Sequence, residues 1–248
     1  MSGHSKWSTI KRKKSKEDAK RGKLFSKLTK AIIVAAREGG GDSEKNIDLA
    51  NAIQKAKDFN MPKENIERAI KKGTGELGGH TLEKVIYEGY GSEGVAVIVE
   101  VMTDNRKRTA AEMRHIFSRY NGHLGSTGCV GWMFDRKGVI SLKDGSAVDE
   151  DEILLIAMDA GADDIIVEED HYEIYTEPTM LMKVKDFLIE NGMSPDSAEI
   201  VLLPKSYKTL SEDKTLGALK LIDALHEQDD VQEIYTNFEI PDELMEKL

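Results

Sequence analysis

The segment from Val139 to Leu203 alternates between strand-like and helix-like patterns in an order that few folds accommodate. Short β-branched runs predict strands and apolar residues at three- and four-residue spacing predict helices, and a glycine follows each helix. The predicted strands are 139–142, 164–168, 172–176 and 199–203, and the predicted helices are 150–160 and 179–191. The order β-α-β-β-α-β is complete in itself. It is typical of a ferredoxin-like sandwich, in which two helices cover one face of an antiparallel sheet.

The segments on either side of this unit each resemble half of a second one. Before it we predict a buried strand at 95–102, a helix from Asp104 or Asn105 to Tyr120, and a strand at 129–134. After it we predict a strand at 207–210, a helix at 212–225 and a strand at 231–237. Together the halves would complete a second β-α-β-β-α-β sandwich, with the first inserted at an exposed turn such as 135–138.

The first 75 residues have a helical pattern throughout. A first helix beginning near Glu17 carries one apolar stripe, a second is capped by Asp42 or Ser43, and a third has Pro62 in its first turn. A glycine-rich linker follows at 73–79. The predicted fold class is therefore α+β, with an N-terminal three-helix domain followed by two ferredoxin-like α/β sandwich domains, one inserted in the other. The predicted domains are residues 1–75, basic and helical; 80–136 plus 205–248, discontinuous; and 137–204, inserted.

Charge is strongly segregated along the chain. Residues 1–37 contain 12 Lys or Arg and two acidic residues, a formal charge of +10. Because the whole chain carries −10, residues 38–248 must carry −20. A basic segment attached to an acidic body typically meets a polyanion, most often nucleic acid.

Lysines recur along the first helix about half a turn from its apolar stripe, which predicts a continuous cationic ridge beside a basic arm at 11–14. The cations would neutralise phosphates, while Trp7 and His4 would stack on an unpaired base or hold the arm against the core. A solvated surface helix is the alternative interpretation of the lysines. The predicted nucleic-acid-binding residues here are His4, Lys6, Trp7, Lys11, Arg12, Lys13, Lys14, Lys16, Lys20, Arg21, Lys23, Lys27 and Lys30.

The acidic part of the chain contains a second basic cluster, which is predicted to bind nucleic acid. Arg106, Lys107 and Arg108 occupy the first turn of a predicted helix, where the helix dipole favours acids instead. A local rule broken without evident compensation indicates function. We expect a second contact with nucleic acid or the ribosome, the alternative being salt bridges to acidic neighbours.

The patterns of catalytic and metal sites are absent from the sequence. The six histidines show no pair at metal-ligand spacing, Cys129 is the single cysteine, and there is no Walker loop or nucleophile-elbow motif. We therefore expect a protein without enzymatic activity, metal or cofactor. The apolar run 32–36 is too short to cross a membrane, and a lone cysteine suits a reducing cytoplasm.

Several long motifs carry a family resemblance. They are GHSKW, IKRKK, DAKRGK, MPKENIERAIKKGTG, YEGYG, TDNRKRT and GSTGCVGWMFDRKG, in this order from end to end. Together they resemble the YebC family, and the resemblance implies the three-domain organisation given above. It also implies a probable transcriptional regulator of the YebC/PmpR type, whose mitochondrial relatives activate translation of cytochrome c oxidase.

The residues and the resemblance together predict a DNA-binding transcriptional regulator. The first alternative is a translational activator bound to the ribosome or to ribosomal or messenger RNA. It gains from the first helix, whose exposed side has few residues able to read base edges. An alternative of another class is a protein-interaction module whose basic arm docks an acidic partner.

Overall fold

The computed structural model describes residues 19–78, 82–143, 149–167 and 171–240. The described residues divide into a main unit, 19–133 with 206–240, and an inserted unit, Phe134–Lys205. The helices are α1 (Ala19–Gly39), α2 (Ile47–Asp58), α3 (Lys63–Gly73), α4 (Arg106–Arg119), α5 (Glu150–Ala160), α6 (Leu181–Glu190) and α7 (Glu212–His226). The strands are β1 (Glu83–Tyr90), β2 (Ala96–Thr103), β3 (His123–Leu124), β4 (Phe134–Lys143), β5 (Asp164–Val167), β6 (His171–Thr176), β7 (Ser197–Pro204), β8 (Lys208–Thr209), β9 (Val231–Thr236) and β10 (Phe238–Glu239).

Helices α1, α2 and α3 enclose one apolar core, to which α1 contributes Leu28 and Ile32. The cap of α2 differs from the prediction. Neither Asp42 nor Ser43 caps it, because the side chain of Asn46 accepts a hydrogen bond from the Leu49 amide and donates to two carbonyls at the end of α1. A cap that also closes the preceding helix satisfies more backbone groups than a local one.

The main-unit sheet has the strand order β3-β1-β2-β9 and is antiparallel throughout. Strand β1 was not predicted, because Glu88 and Gly89 interrupt its apolar pattern. The sheet is nevertheless completed by β1, which precedes β2 in the chain. The second sandwich is therefore assembled from both flanking segments, with a different strand connectivity from that predicted.

Two local predictions around the insertion are wrong, and a third is met only in part. Residues 129–134 do not form a strand; a short 3-10 turn, Gly131–Met133, leads into β4. Residues 135–138 are not a turn, since they lie within β4 and pair with β7. The strand predicted at 207–210 is reduced to β8, which pairs in parallel with β10.

The inserted unit follows the predicted order of elements. Its sheet has the order β5-β6-β4-β7, with α5 and α6 over a core that includes Ile140, Ile153 and Leu188. Helix α5 has the predicted bounds, and Gly161 ends it in the left-handed conformation with φ of 100°. The fold class is confirmed as α+β, with an N-terminal helical region followed by sheet domains, while the boundaries of three separate domains stay a prediction.

Candidate nucleic-acid interface

Helix α1 carries the part of the predicted ridge that the structure describes. Its apolar face is buried, with Ile32 fully enclosed, and the lysines recur in the sequence about half a turn from that face. For Lys20 and Arg21 the structure places the backbone in α1 and no more. The predictions for His4, Lys6, Trp7, Lys11, Arg12, Lys13, Lys14 and Lys16 lie outside the described residues.

Two ridge lysines turn toward the loop that precedes β9. The amine of Lys23 donates to the Glu227 carbonyl and lies 3.6 Å from the carboxylate of Asp229. The amine of Lys30 lies 2.9 Å from a carboxylate oxygen of Asp230, and 18% of its side chain is exposed. The prediction of a ridge facing outward along its whole length is therefore wrong at Lys30. Whether Lys23 and Lys30 contact nucleic acid stays a prediction.

Asp230 is a shared partner for side chains from two helices. Its second carboxylate oxygen accepts hydrogen bonds from Arg108 and Thr109, each at 2.9 Å. Burial by itself would raise the pKa of Asp230, but the hydrogen bonds from Lys30, Arg108 and Thr109 outweigh it and lower the pKa to about 2. Asp230 is therefore ionised at neutral pH, where one anion stands between two cations.

This arrangement joins two basic clusters that the sequence presents as separate. Lys30 lies on α1 and Arg108 on α4, 78 positions apart in the chain, yet both bind the same carboxylate. The expected alternative for the second cluster, salt bridges to acidic neighbours, is also present in part. Arg106 lies 3.7 Å from Glu83, and Arg108 lies 3.1 Å from Asp104.

One face of α4 borders an open groove of about 650 Å³, here called the α4 groove. Arg106, Ala110 and Arg114 follow one another at four-residue spacing and, with Lys107, form one wall. Across the part of the chain that the structure describes, Lys107 and Arg114 form no ion pair. The groove is therefore cationic along this wall.

The second wall of the α4 groove comes from β1. Its residue Tyr87 donates a hydrogen bond from the phenol to the Arg106 carbonyl at 3.3 Å. Burial raises the pKa of Tyr87, an effect larger than the opposing attraction of Arg106 and Arg114. The phenol is thus a neutral hydrogen-bonding group at neutral pH.

The third wall is the start of a glycine-rich loop, where Ser126 and Thr127 face the groove. The rest of this loop wraps around the buried carboxylate of Glu88, which accepts backbone hydrogen bonds from Gly128, Val130 and Gly131 at 2.7–2.8 Å. Burial raises the pKa of Glu88, but these three bonds more than offset it, and the net shift is downward. An ionised carboxylate inside the loop fixes its backbone.

The loop ends at an exposed aromatic ring. Trp132 has 65% of its surface exposed, yet its indole Nε1 donates to the Cys129 carbonyl at 3.1 Å. The same carbonyl accepts a bond from the Tyr90 hydroxyl at 2.9 Å. Burial, followed by the nearby Glu88, raises the pKa of the Cys129 thiol, so this group is not an activated nucleophile.

Sequence reasoning missed Glu88, Arg114 and Trp132. The motifs YEGYG and GSTGCVGWMFDRKG contain two of them, but the apolar letters of the second motif suggested a strand. Its density of glycine was the signal against a strand, since glycine is depleted there. Within the described ranges, no three His, Cys, Asp or Glu side chains are grouped closely enough to hold a metal ion.

Comparison with known proteins identifies the family. Residues 5–76 match the profile of the TACO1/YebC protein N-terminal domain, and residues 82–238 match that of the TACO1/YebC second and third domain. The chain belongs to the YebC family. The family matches thus cover both the basic segment and the α4 groove.

YebC relatives match over nearly their full length. A probable transcriptional regulatory protein of Pelotomaculum thermopropionicum is 57% identical over 243 residues, covering 98% of this chain and 100% of the relative. One of Halothermothrix orenii is 56% identical over 251 residues, covering 100% and 99%. The crystal structure of the conserved hypothetical protein Aq1575 from Aquifex aeolicus is 49% identical, with a TM-score of 0.81 over 91% of this chain and 93% of that one.

Among the described helices of this YebC protein, none is both long enough and apolar enough to cross a membrane.

Proposed function

We propose that this YebC protein is a non-enzymatic regulator of gene expression that binds nucleic acid through α1, the basic segment before it and the first turn of α4. The meeting of Lys30 and Arg108 at Asp230 supports the proposal most directly. It brings the helices that carry the two clusters together, so that neighbouring phosphates of one nucleic acid can reach both clusters at once. Cations spread over several phosphates give affinity that depends on charge more than on sequence.

The names of the relatives point to transcription, and hence to DNA as the ligand. RNA on or off the ribosome is the second candidate, and the exposed Trp132 favours it. An aromatic ring can stack on an unpaired base, and unpaired bases are routine in RNA. A regulator that acts through RNA would act on translation.

The decisive experiment is a titration of duplex DNA and of structured RNA across a range of salt concentrations. We expect affinity to fall steeply with salt, and the double variant K20E/K27E to bind at least about tenfold more weakly, with a salt slope smaller by about two. Lys23 and Lys30 are left intact in this variant because their ion pairs connect α1 to the β9 loop.

The matched control is K71E/K72E, which makes the same charge change at two exposed positions of α3. It should lose little affinity, because α3 lies outside the proposed interface. That result would show that net charge alone does not determine binding. Equal losses in both double variants, or binding independent of salt, would contradict the proposal. Binding to an acidic protein that excess RNA and DNA fail to displace would support the interaction-module alternative instead.

A further inference from the structure

The α4 groove combines features that a phosphate contact on α1 does not need. Its lining includes the cationic residues Arg106, Lys107 and Arg114 together with the hydroxyl-bearing residues Ser126 and Thr127. A flat basic surface suffices to attract a nucleic-acid backbone. A groove lined by cations and by hydroxyl-bearing residues also offers hydrogen-bonding partners for the sugar.

The exposed Trp132 belongs to the same loop as the hydroxyl wall. It lies five positions after Thr127, so the two are no more than about 17 Å apart at the full extension of the chain. Its indole nitrogen is already bonded to the Cys129 carbonyl, which leaves the ring faces as its remaining means of contact.

The loop holds Trp132 in place before any ligand binds. Hydrogen bonds of 2.7–2.8 Å from three backbone amides to the Glu88 carboxylate fix the residues just before the indole. An aromatic side chain that is 65% exposed gains little stability from apolar burial, yet here a buried carboxylate fixes the backbone that leads to it. Such preorganisation lowers the ordering cost of binding at this position.

We propose that the α4 groove and Trp132 bind an unpaired stretch of RNA, with phosphates on Lys107 and Arg114 and one base stacked on the indole. This inference rests on the proposed function and narrows its ligand. Duplex bases are already stacked on each other and offer no free face to the indole, whereas an unpaired base does. Ser126 and Thr127 can hydrogen-bond the 2′-hydroxyl, the group by which proteins distinguish RNA from DNA.

The first test compares full-length variants in anisotropy titrations with three probes of one sequence: a short unstructured RNA strand, the same RNA as a duplex, and the corresponding DNA strand. We expect W132A to bind the RNA strand about 5- to 100-fold more weakly, the range for loss of one base–aromatic stack. W132F keeps a ring and should retain most of the affinity. K107E should weaken binding of the strand and reduce its salt slope by about one or more.

Matched controls separate these effects from general ones. L155A removes an apolar side chain of similar exposure, 67%, from the inserted unit, and K220E makes the charge change of K107E at an exposed position of α7. Neither should weaken binding of the RNA strand. Duplex binding should be the same in W132A as in the unsubstituted protein.

A second readout detects stacking directly. The chain has two tryptophans, Trp7 and Trp132, so W7F leaves Trp132 as the one indole. Its fluorescence should be quenched by the RNA strand at the concentrations that give binding, and less by the duplex. A merely structural role for Trp132 would leave the emission unchanged.

Three results would overturn the inference: W132A binding the strand as tightly as the unsubstituted protein, W132A losing strand and duplex affinity equally, or the DNA strand binding as tightly as the RNA strand. The proposed function fails in a different way. In that case the unsubstituted protein binds neither these three probes nor duplex DNA, or K20E/K27E binds them all as tightly as the unsubstituted protein does.

Discussion

At the scale of single residues, Asp230 has the greatest effect on how the predicted binding residues are placed. It is 200 positions from Lys30 and 122 from Arg108, and it holds both at 2.9 Å. Thr109 also donates to it, and Thr109 is fully buried. Removing the charge of Asp230 would take away the one carboxylate that Lys30 and Arg108 share, although Arg108 would keep Asp104 and Lys30 would keep the Asp229 carbonyl. The contact between α1 and α4 would be weaker.

We expect D230N to lower the free energy of unfolding by about 2 kcal/mol at pH 7. The pKa of Asp230 is about 2 in the folded protein and about 3.9 in an unfolded chain. Because the folded value is the lower one, this stabilisation is complete above about pH 5 and is lost as the pH falls from about 4 toward 2. Urea unfolding of both proteins between pH 2 and pH 7 measures it.

The two proteins differ in one ionisable carboxylate, so the comparison isolates Asp230. Plotted against pH, the free energies of unfolding of the unsubstituted protein and of D230N should converge near pH 2. Parallel curves over the whole range would show that the interactions of Asp230 with Lys30 and Arg108 do not stabilise the fold.

At the scale of elements, the approach of α1 and α3 positions the basic helix. The last residue of α3, Gly73, lies so close to α1 that an added Cβ would be 2.5 Å from the Ile33 carbonyl oxygen and 2.7 Å from the Ala36 Cβ. A larger residue must therefore push the helices apart. The lysines of α1 keep their relation to the rest of the main unit only while this contact remains tight.

The prediction is that glycine-to-alanine changes in these two helices have opposite signs. G73A should destabilise the protein by about 2 kcal/mol or more, because both atoms that it meets belong to a packed helix. G22A lies in α1 with nothing within 4 Å of its added Cβ, and should stabilise by about 0.5–1 kcal/mol through helix propensity. Thermal unfolding of the two variants checks the signs, and a stabilising G73A would show that the helices do not need their close approach.

At the scale of the whole molecule, the inserted unit concentrates acidic charge. Residues 134–205 contain 18 acidic and six basic residues, a formal charge of −12. The unit begins and ends on adjacent strands, since Phe134 is paired with Pro204. It also has its own core around Ile140, Ile153 and Leu188.

We therefore expect that residues 134–205 can be replaced by a short glycine linker without unfolding the main unit. The shortened protein should bind nucleic acid at least as tightly, because the described basic residues of the proposed interface all lie in the main unit. The gain in affinity over the full-length protein should be larger near 10 mM salt, where the Debye length is about 30 Å, than near 100 mM, where it is about 10 Å.

Circular dichroism and the binding titration check this prediction, and residues 134–205 expressed alone should show dispersed amide resonances. If the shortened protein is folded but has lost its affinity, part of the nucleic-acid interface belongs to the inserted unit. If it unfolds, the main unit depends on the insertion.

Much of the secondary structure followed from local chemistry. The bounds of α5 and its glycine stop come from residues within one helix, as does the start of α4, where the Asn105 side chain accepts a bond from the Arg108 amide at 3.1 Å. The loop at 128–131 could not be predicted this way. Its amides bind Glu88, about 40 positions earlier, and nothing nearby in the sequence reveals that partner.

The sequence by itself determined the three N-terminal helices, the order of the elements in the inserted unit, and the separation of a basic segment from an acidic body. All three depend on properties that each residue carries with it: side-chain charge, apolar periodicity and backbone preference. The tertiary structure alone decided that Lys30 and Arg108 meet at Asp230 and that Trp132 ends a fixed loop beside a groove. Such contacts join residues distant in the chain, and their stability comes from burial and hydrogen bonds that exist only after the elements have packed.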